Sequence, residues 1–231
     1  MSRDLESDKV IITIDGPTAS GKSTVAKLLA QKLGYVHLNS GLLYRGIAYV
    51  LVHFFNYTQE QLANPKQADL DFIINHHKLV YRDVNYHAQV CYENQDITSY
   101  LKTKIMDNYA SISSASPQVR ISLMQLQRQV GEQHNLVAEG RDTGTKVFPN
   151  ADLKIFLTAS LEIRAKRWQG FMHKTGKDYS LSECAALVDE RDQRDINREV
   201  APLIPSPDAI IIDSSNLDID QVINQIYELI K

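Results

Sequence analysis

The sequence predicts an α/β fold of three layers, a five-stranded parallel sheet with helices on both faces, and two observations carry that expectation. Short apolar strands alternate with helical stretches along most of the 231 residues, the rhythm of a parallel sheet covered on both sides. A glycine-bounded loop also joins the first strand to the first helix, the place where such sheets bind anions. The first strand is Val10-Ile11-Ile12-Thr13-Ile14-Asp15, and the helix after it begins around Ser23 and carries Val25-Ala26-Lys27-Leu28-Leu29-Ala30. Tyr35 to Leu38 is short and β-prone, and Asn39-Ser40-Gly41 opens an apolar helical stretch from Leu42 to Phe55, a second strand–helix unit. Leu136 to Glu139 and Leu153 to Leu157 supply two further strands. Ala209 to Asp213 supplies the last, before a C-terminal helix bearing Val222, Ile223, Ile226, Leu229 and Ile230.

Residues 65–104 break this rhythm. Phe72-Ile73-Ile74, Lys78 to Tyr81 and His87 to Tyr92 are strand candidates separated by polar turns, with no helix between them, and predict a small antiparallel insert. From Pro117 to Gln133, Val119, Leu123, Leu126 and Val130 recur at helical spacing, a stripe for core packing. The polar stretch 168–182, with Gly176 and lysines, lies between one helix and another running from Leu181 to about Ile196, and predicts a lid segment. No repeat divides the chain, and the proline-punctuated run Ala201 to Pro207 reads as a connection, so residues 1–231 are expected to form a single domain.

Composition narrows the function. A net charge of −3 gives no global basic field for a nucleic-acid backbone, so an anionic substrate has to be held by local arginines. Cys91 and Cys184 are the only cysteines, far apart and without metal-like spacing, which suits a reducing compartment. The first nine residues lack the apolar stretch of a signal peptide and no apolar run reaches membrane-spanning length, which predicts a cytoplasmic protein. The seven histidines are scattered, and adjacent His76 and His77 would point to opposite faces of a strand, a poor arrangement for joint metal chelation.

The loop Gly16-Pro17-Thr18-Ala19-Ser20-Gly21-Lys22-Ser23-Thr24 has the spelling of a nucleoside-triphosphate phosphate cradle, the mark of a P-loop NTPase. Triphosphate oxygens need backbone N–H donors converging on them, and Gly16 and Gly21 allow the chain to curl tightly enough to aim them. Lys22 can reach the β- and γ-phosphates, Ser23 can ligate Mg²⁺, and the following helix directs its positive end at the same anion. A cradle alone leaves switch, ATPase, kinase and transferase open.

Arginine placement separates these. Ser40 and Arg45 flank the start of the second helix, and Arg141 and Asp142 directly follow the strand ending at Glu139. In a parallel sheet both lie at the strand ends that also carry the phosphate loop, so they face one crevice. Arg191, Arg194 and Arg198 recur at three and four residues and would share one helical face if the helix persists to Arg198.

Taken together, the loop Gly16 to Thr24, Ser40-Gly41 with Tyr44-Arg45, Ala110-Ser111 with Arg120, Gly140-Arg141-Asp142-Thr143-Gly144-Thr145, Arg191 to Arg198 and Val200-Ala201-Pro202-Leu203 resemble the bacterial cytidylate kinases across nearly the whole chain. That resemblance implies transfer of the γ-phosphoryl group of ATP to CMP or dCMP with Mg²⁺. It implies that the insert 65–104 binds the acceptor monophosphate, that Ser40, Arg45 and Arg141 hold the acceptor's phosphate, that Ser111, Arg120 and Asp142 read cytosine, and that Arg191, Asp195 and Arg198 bind the sugar. Lys22, Arg141 and Arg194 would act on the transferring group, Arg194 by closing over ATP with basic residues of segment 170–180. The implied partners are ATP and CMP or dCMP, with no nucleic acid and no membrane, in a cytoplasmic monomer. One position departs from the pattern: the family usually has Asp where this chain has Asn39, and Glu139 lies where a metal-facing acid could end its strand.

Three rivals remain open. Other nucleoside monophosphate kinases, a UMP-preferring one above all, would share everything except the base-reading residues. The tRNA dimethylallyltransferases have a nearly identical loop followed by a tyrosine–arginine pair, but the Gly140 to Thr145 and Arg191 to Arg198 stretches and the lack of a basic RNA-binding surface argue against them. A GTP-dependent switch would need Asn-Lys-x-Asp and Asp-x-x-Gly strings, and neither occurs.

Overall fold

In the computed structural model, which describes residues 9–174 and 176–230, the isoleucines of β1 (Ile11–Asp15) form the centre of a parallel sheet. The loop after β1 leads into α1 (Lys22–Leu33), then β2 (Val36–Asn39) and α2 (Ser40–Phe55). Next come α3 (Gln67–Asn75), β3 (Leu79–Val84), β4 (His87–Tyr92), β5 (Gln95–Asp96), α4 (Lys104–Ser113) and α5 (Pro117–Gln133). The chain returns through β6 (Leu136–Gly140), β7 (Leu153–Thr158), α6 (Leu161–Lys174), α7 (Leu181–Asn197), β8 (Ile210–Asp213) and α8 (Ile219–Glu228). The charged N-terminal stretch read above falls mostly outside the described residues, and within them no helix is long and apolar enough to cross a membrane.

The sheet order is β2-β6-β1-β7-β8, and every pairing is parallel. Two buried clusters cover its faces. Ile12, Ile14, Val137, Ile155 and Leu157 pack against α1 and α8 on one side, and Leu38, Leu136 and Ala138 pack against α2, α4 and α5 on the other. Capping sets the helix ends: Gly34, in the left-handed region, closes α1, Pro117 opens α5, and capping boxes from Ser180 with Glu183 and from Asp218 with Gln221 start α7 and α8.

The expected insert is present as a separate antiparallel sheet, β3-β4-β5, with one correction. Phe72-Ile73-Ile74 is not a strand but part of α3. Leu70, Ile73 and Ile74 are buried at helical spacing while Phe72 is 42% exposed, so the local β-propensity of Phe-Ile-Ile yields to burial of a helical face. The insert shares the core of the α2 face through Leu79, Tyr81, Val90 and Tyr92. It also closes the open edge of β2. The Tyr81 hydroxyl accepts from Asn39 N at 2.9 Å and donates to His37 O at 2.7 Å, and His37 N donates to Asp83 Oδ2 at 2.8 Å. Side chains thereby satisfy backbone groups that an edge strand leaves unpaired.

Of the stretch 168–182, residues 168–174 continue α6 and 181–182 open α7, so the irregular part between these helices is shorter than the sequence suggested.

Register fixes what meets at the top of the sheet. Asp15 pairs with Gly140 and Asn39 with Glu139, so the loop after β1, the start of α2 and the loop after β6 emerge side by side.

Candidate functional site

The loop between β1 and α1 is shaped by its two glycines. A Cβ at Gly16 would sit 2.0 Å from Leu157 O, and Gly21, at φ 97°, occupies the left-handed region. Gly16→Ala is expected to destabilise the fold by about 3 kcal/mol, because its clash is with backbone that cannot rotate away. In a domain of this size that lowers Tm by roughly 6–12 °C in a thermal melt.

Other segments latch the loop from outside. Thr18 N donates to Asp192 Oδ1 at 2.8 Å, Arg164 Nη1 donates to Thr18 O at 3.1 Å, and Arg164 also pairs with Asp192. Arg167 Nη1 donates to Ser20 O at 3.1 Å. The helices α6 and α7 therefore hold the loop open, and Thr18 N is committed to Asp192. On the other side Asp15, 5% exposed, accepts from Thr143 N, Thr143 Oγ1 and Gly144 N at 2.7–2.9 Å. Burial pushes Asp15 up to about 6 in spite of those donors. Its bonds fold the chain after Arg141 and Asp142 into the single turn Thr143–Val147.

Lys22 is buried, its Nζ donating to Pro17 O at 2.9 Å. Burial, and after it the Arg141 guanidinium, bring its pKa down to about 7, with Glu139 pulling the other way. A bound polyphosphate restores the charge, so nucleotide binding at pH 8 is expected to take up close to one proton. Affinity should then fall as pH rises above 7, by up to about tenfold per unit. Calorimetry in two buffers of different ionisation enthalpy reads this directly, and zero uptake would mean that Lys22 is already charged in the free protein.

Beside the loop lies a cleft lined by every residue the sequence assigned to the acceptor: Ser40, Arg45, Ser111, Arg120, Arg141, Asp142, Arg191, Asp195 and Arg198. Thr18, Ala19, Lys22 and Ser23 of the loop line the same space. The cations are held by a lattice of carboxylates. Arg45 Nε and Nη2 contact Asp107 Oδ1 at 2.8 and 2.7 Å. Arg141 Nε donates to Asp195 Oδ2 at 2.8 Å and its Nη2 to Thr18 Oγ1 at 3.1 Å. Arg120 Nη1 donates to Asp142 Oδ2 at 2.8 Å, and Arg198 bridges Asp142 and Asp195 at 3.5 and 3.4 Å. Burial works to raise Asp195, but the Arg141 and Arg198 guanidiniums hold it below the usual carboxylate range.

Arg191 stands apart. It lines the cleft but makes no hydrogen bond or ion pair with any described residue. Burial, and next the repulsion of Arg141, bring it down to about 10, which still leaves it charged at neutral pH. A half-buried cation without an ion-pair partner, facing Arg141, creates a strong demand for an anion.

Arg194 does not join this group. It is exposed and does not line the cleft. The helix ends at Asn197 and Arg198 is extended, so the shared face expected for residues 191, 194 and 198 is not formed; Asp195 lies with Arg191 instead. Segment 170–180 likewise contributes no residue to the cleft lining among those described. Asn39 caps α2, its Oδ1 accepting from Leu42 N at 2.8 Å, a task that an amide performs as well as a carboxylate. Ser23 Oγ donates to Glu139 Oε2 at 2.9 Å.

Sequence reasoning missed Asp192, Arg164, Arg167 and Trp168, and gave Tyr44, which lines the cleft, no role of its own. Asp192 carried a usable signal: with Cys184 and Val188 it completes an i, i+4, i+8 buried stripe on α7, and an acid at a packing position announces a buried partner. Trp168, the only tryptophan, lines the cleft and so offers an intrinsic fluorescence reporter of binding. Nothing in the sequence pointed to it.

A phosphate loop at the centre of a parallel sheet, with a second cation-lined cleft beside it, defines a P-loop phosphotransferase with room for a second anionic substrate. The family described as Cytidylate kinase matches residues 12–231. The chain is 42% identical over 223 residues to the cytidylate kinase of Pseudomonas putida (strain W619), covering 96% of each chain, and equally to that of Pseudomonas entomophila (strain L48). To the cytidylate kinase of Serratia proteamaculans (strain 568) it is 40% identical over 218 residues, covering 93% of this chain and 91% of that one. The chain belongs to the cytidylate kinase family.

Proposed function

We infer that this protein transfers the γ-phosphoryl group of ATP to CMP or dCMP, yielding ADP and CDP or dCDP. The observation that carries the reading is the unpaired Arg191 facing Arg141 in a cleft continuous with Lys22 and the phosphate loop. Phosphoryl transfer asks the protein to align two anions and to balance the charge that moves between them. In this assignment Lys22 neutralises the donor phosphates, Arg45 and Arg141 neutralise the acceptor phosphate and let it approach in line, and Arg191, expected above at the sugar, is reassigned to that phosphate because it lies by Arg141 without an ion-pair partner. Ser40, with its Oγ already bonded to Glu139 O at 2.8 Å, borders the acceptor phosphate.

Recognition of the base follows from donor and acceptor inventory. Cytosine presents an N4 amino donor beside the N3 and O2 acceptors. Asp142 supplies the acceptor and keeps free lone pairs after bonding Arg120. Arg120, whose Nε is committed to Ser114 O at 2.6 Å, still has N–H groups for N3 or O2, and Ser111 lies on the same wall. Uracil would set its O4 against the Asp142 carboxylate. Asp195 and Arg198 line the space left for the sugar hydroxyls.

The Mg²⁺ implied by the family fits the residues present. Ser23 Oγ and Glu139 Oε2 are hard oxygen donors that meet at the loop, 2.9 Å apart, the donor set that Mg²⁺ prefers. No cluster of three or more His, Cys, Asp or Glu able to hold a metal exists among the described residues. The ion would therefore be held chiefly by the nucleotide phosphates, where it screens charge between donor and acceptor. We propose further that the protein works in the cytoplasm as a monomer.

A coupled assay of ADP formation with ATP and Mg²⁺, offering CMP, dCMP, UMP, AMP and GMP in turn, tests the reading. CMP and dCMP should be the best acceptors, and preference for AMP or GMP would refute the base assignment.

A further inference from the structure

Two buried polar atoms face each other at the edge of the sheet without a hydrogen-bond partner. His37 and Glu139 are 4% and 3% exposed. His37 Nε2 lies 3.9 Å from Glu139 Oε1, and neither atom has a hydrogen bond within the described structure. The register explains the encounter. Asn39 pairs with Glu139 and His37 with Val137, so His37 and Glu139 are diagonal neighbours on one face of the β2–β6 pair.

The strand that carries the ring is held firmly in place. The His37 backbone is clamped by the insert, its N–H on Asp83 Oδ2 and its carbonyl on the Tyr81 hydroxyl. A carboxylate oxygen offers only acceptor sites. The tautomer that satisfies both buried atoms is therefore the one with hydrogen on Nε2.

We propose that His37 is a positioning residue for the metal-facing carboxylate: its Nε2–H is directed at Glu139 Oε1 and fixes the rotation of that carboxylate about the bond that presents Oε2 to Ser23. The gap of 3.9 Å closes to a hydrogen bond by a carboxylate rotation of about 1 Å at the oxygen. Asn39 is an amide engaged in capping α2, and among the described residues that line the cleft Glu139 is the carboxylate bonded to Ser23, so its orientation matters accordingly. Through Tyr81 and Asp83 the insert takes part in holding the backbone that carries the ring. The proposal rests on the reading that Mg²⁺ lies beside Ser23 and Glu139, but not on the identity of the acceptor base.

The test compares His37→Leu, which deletes the donor, with His37→Gln, whose amide nitrogen reaches a similar position. Mn²⁺ serves as the probe, its affinity for the protein–ADP complex read from the electron paramagnetic resonance of free Mn²⁺, and metal-free ADP binding is read from Trp168 fluorescence. His37→Leu should weaken Mn²⁺ binding about tenfold, as for other groups that orient a metal's surroundings. Metal-free ADP binding should stay within about twofold, and His37→Gln should recover most of the loss. Unchanged Mn²⁺ affinity in His37→Leu, or equal losses in both variants, would overturn the proposal. Imidazole ¹⁵N resonances of the wild-type protein give a check that survives misfolding of a variant. Hydrogen on Nε2 supports the proposal, and hydrogen on Nδ1 overturns it. The acceptor assay stands apart, since poor use of CMP would sink the proposed reaction and leave the Mn²⁺ result intact.

Discussion

Arg141→Ala is expected to lower kcat by about two to three orders of magnitude, the loss seen when a cation aimed at a transferring group is removed. The guanidinium lies between the two halves of the site, bonded to Thr18 of the phosphate loop and to Asp195 of the acceptor cleft. It can follow charge as it moves from donor to acceptor, so its removal should act more on kcat than on the KM of either nucleotide. Asp195, which the Arg141 cation helps to hold below its usual range, should keep Arg198 as a partner in the variant. Folding is checked by a thermal melt. A variant that folds and turns over at the wild-type rate would remove Arg141 from the site.

Asp142→Asn is expected to lower the preference for CMP over UMP by about one to two orders of magnitude in the ratio of kcat/KM values. The shape is kept, but one oxygen becomes an NH₂ group that can donate to uracil O4. The substitution also leaves Arg120 and Arg198 without their shared carboxylate. Weakening a buried ion pair in this way should cost about 2–4 kcal/mol of stability. The two readouts are separable. Loss of stability with unchanged selectivity would mean that Asp142 only braces the arginines and does not read the base.

Much of this architecture was legible in the sequence because its signals are local. The run Val10 to Asp15, the glycines of the loop and the helical stripe Val119, Leu123, Leu126 and Val130 each carry their own period. The strands and helices they predict are found where expected. The residues assigned to the acceptor were chosen by resemblance and by their place at strand ends, and the structure brings them to one cleft. What failed depended on tertiary context. Phe72-Ile73-Ile74 reads as a strand in isolation, and only the burial of Leu70 with Ile73 and Ile74 shows the helix. Arg194 was grouped with Arg191 and Arg198 by spacing, but it lies on the exposed side of α7, and the end of the helix at Asn197 places Arg198 in the cleft by another route. The latch of Thr18, Arg164 and Asp192 joins residues separated by as many as 174 positions, a contact that no local pattern encodes. His37 looked like an ordinary strand residue until the β2–β6 register set it opposite Glu139.

The central claim is that guanidinium groups from α2, the loop after β6 and α7 meet beside the phosphate loop to hold a second nucleotide. A crystal structure with ADP and CMP bound together tests it most directly. The account predicts the ADP phosphates in the loop 16–24, the CMP phosphate within about 3 Å of guanidinium nitrogens of Arg45, Arg141 or Arg191, and the cytosine amino group on Asp142. A CMP bound outside this cleft, or a phosphate touching none of those three arginines, would contradict it.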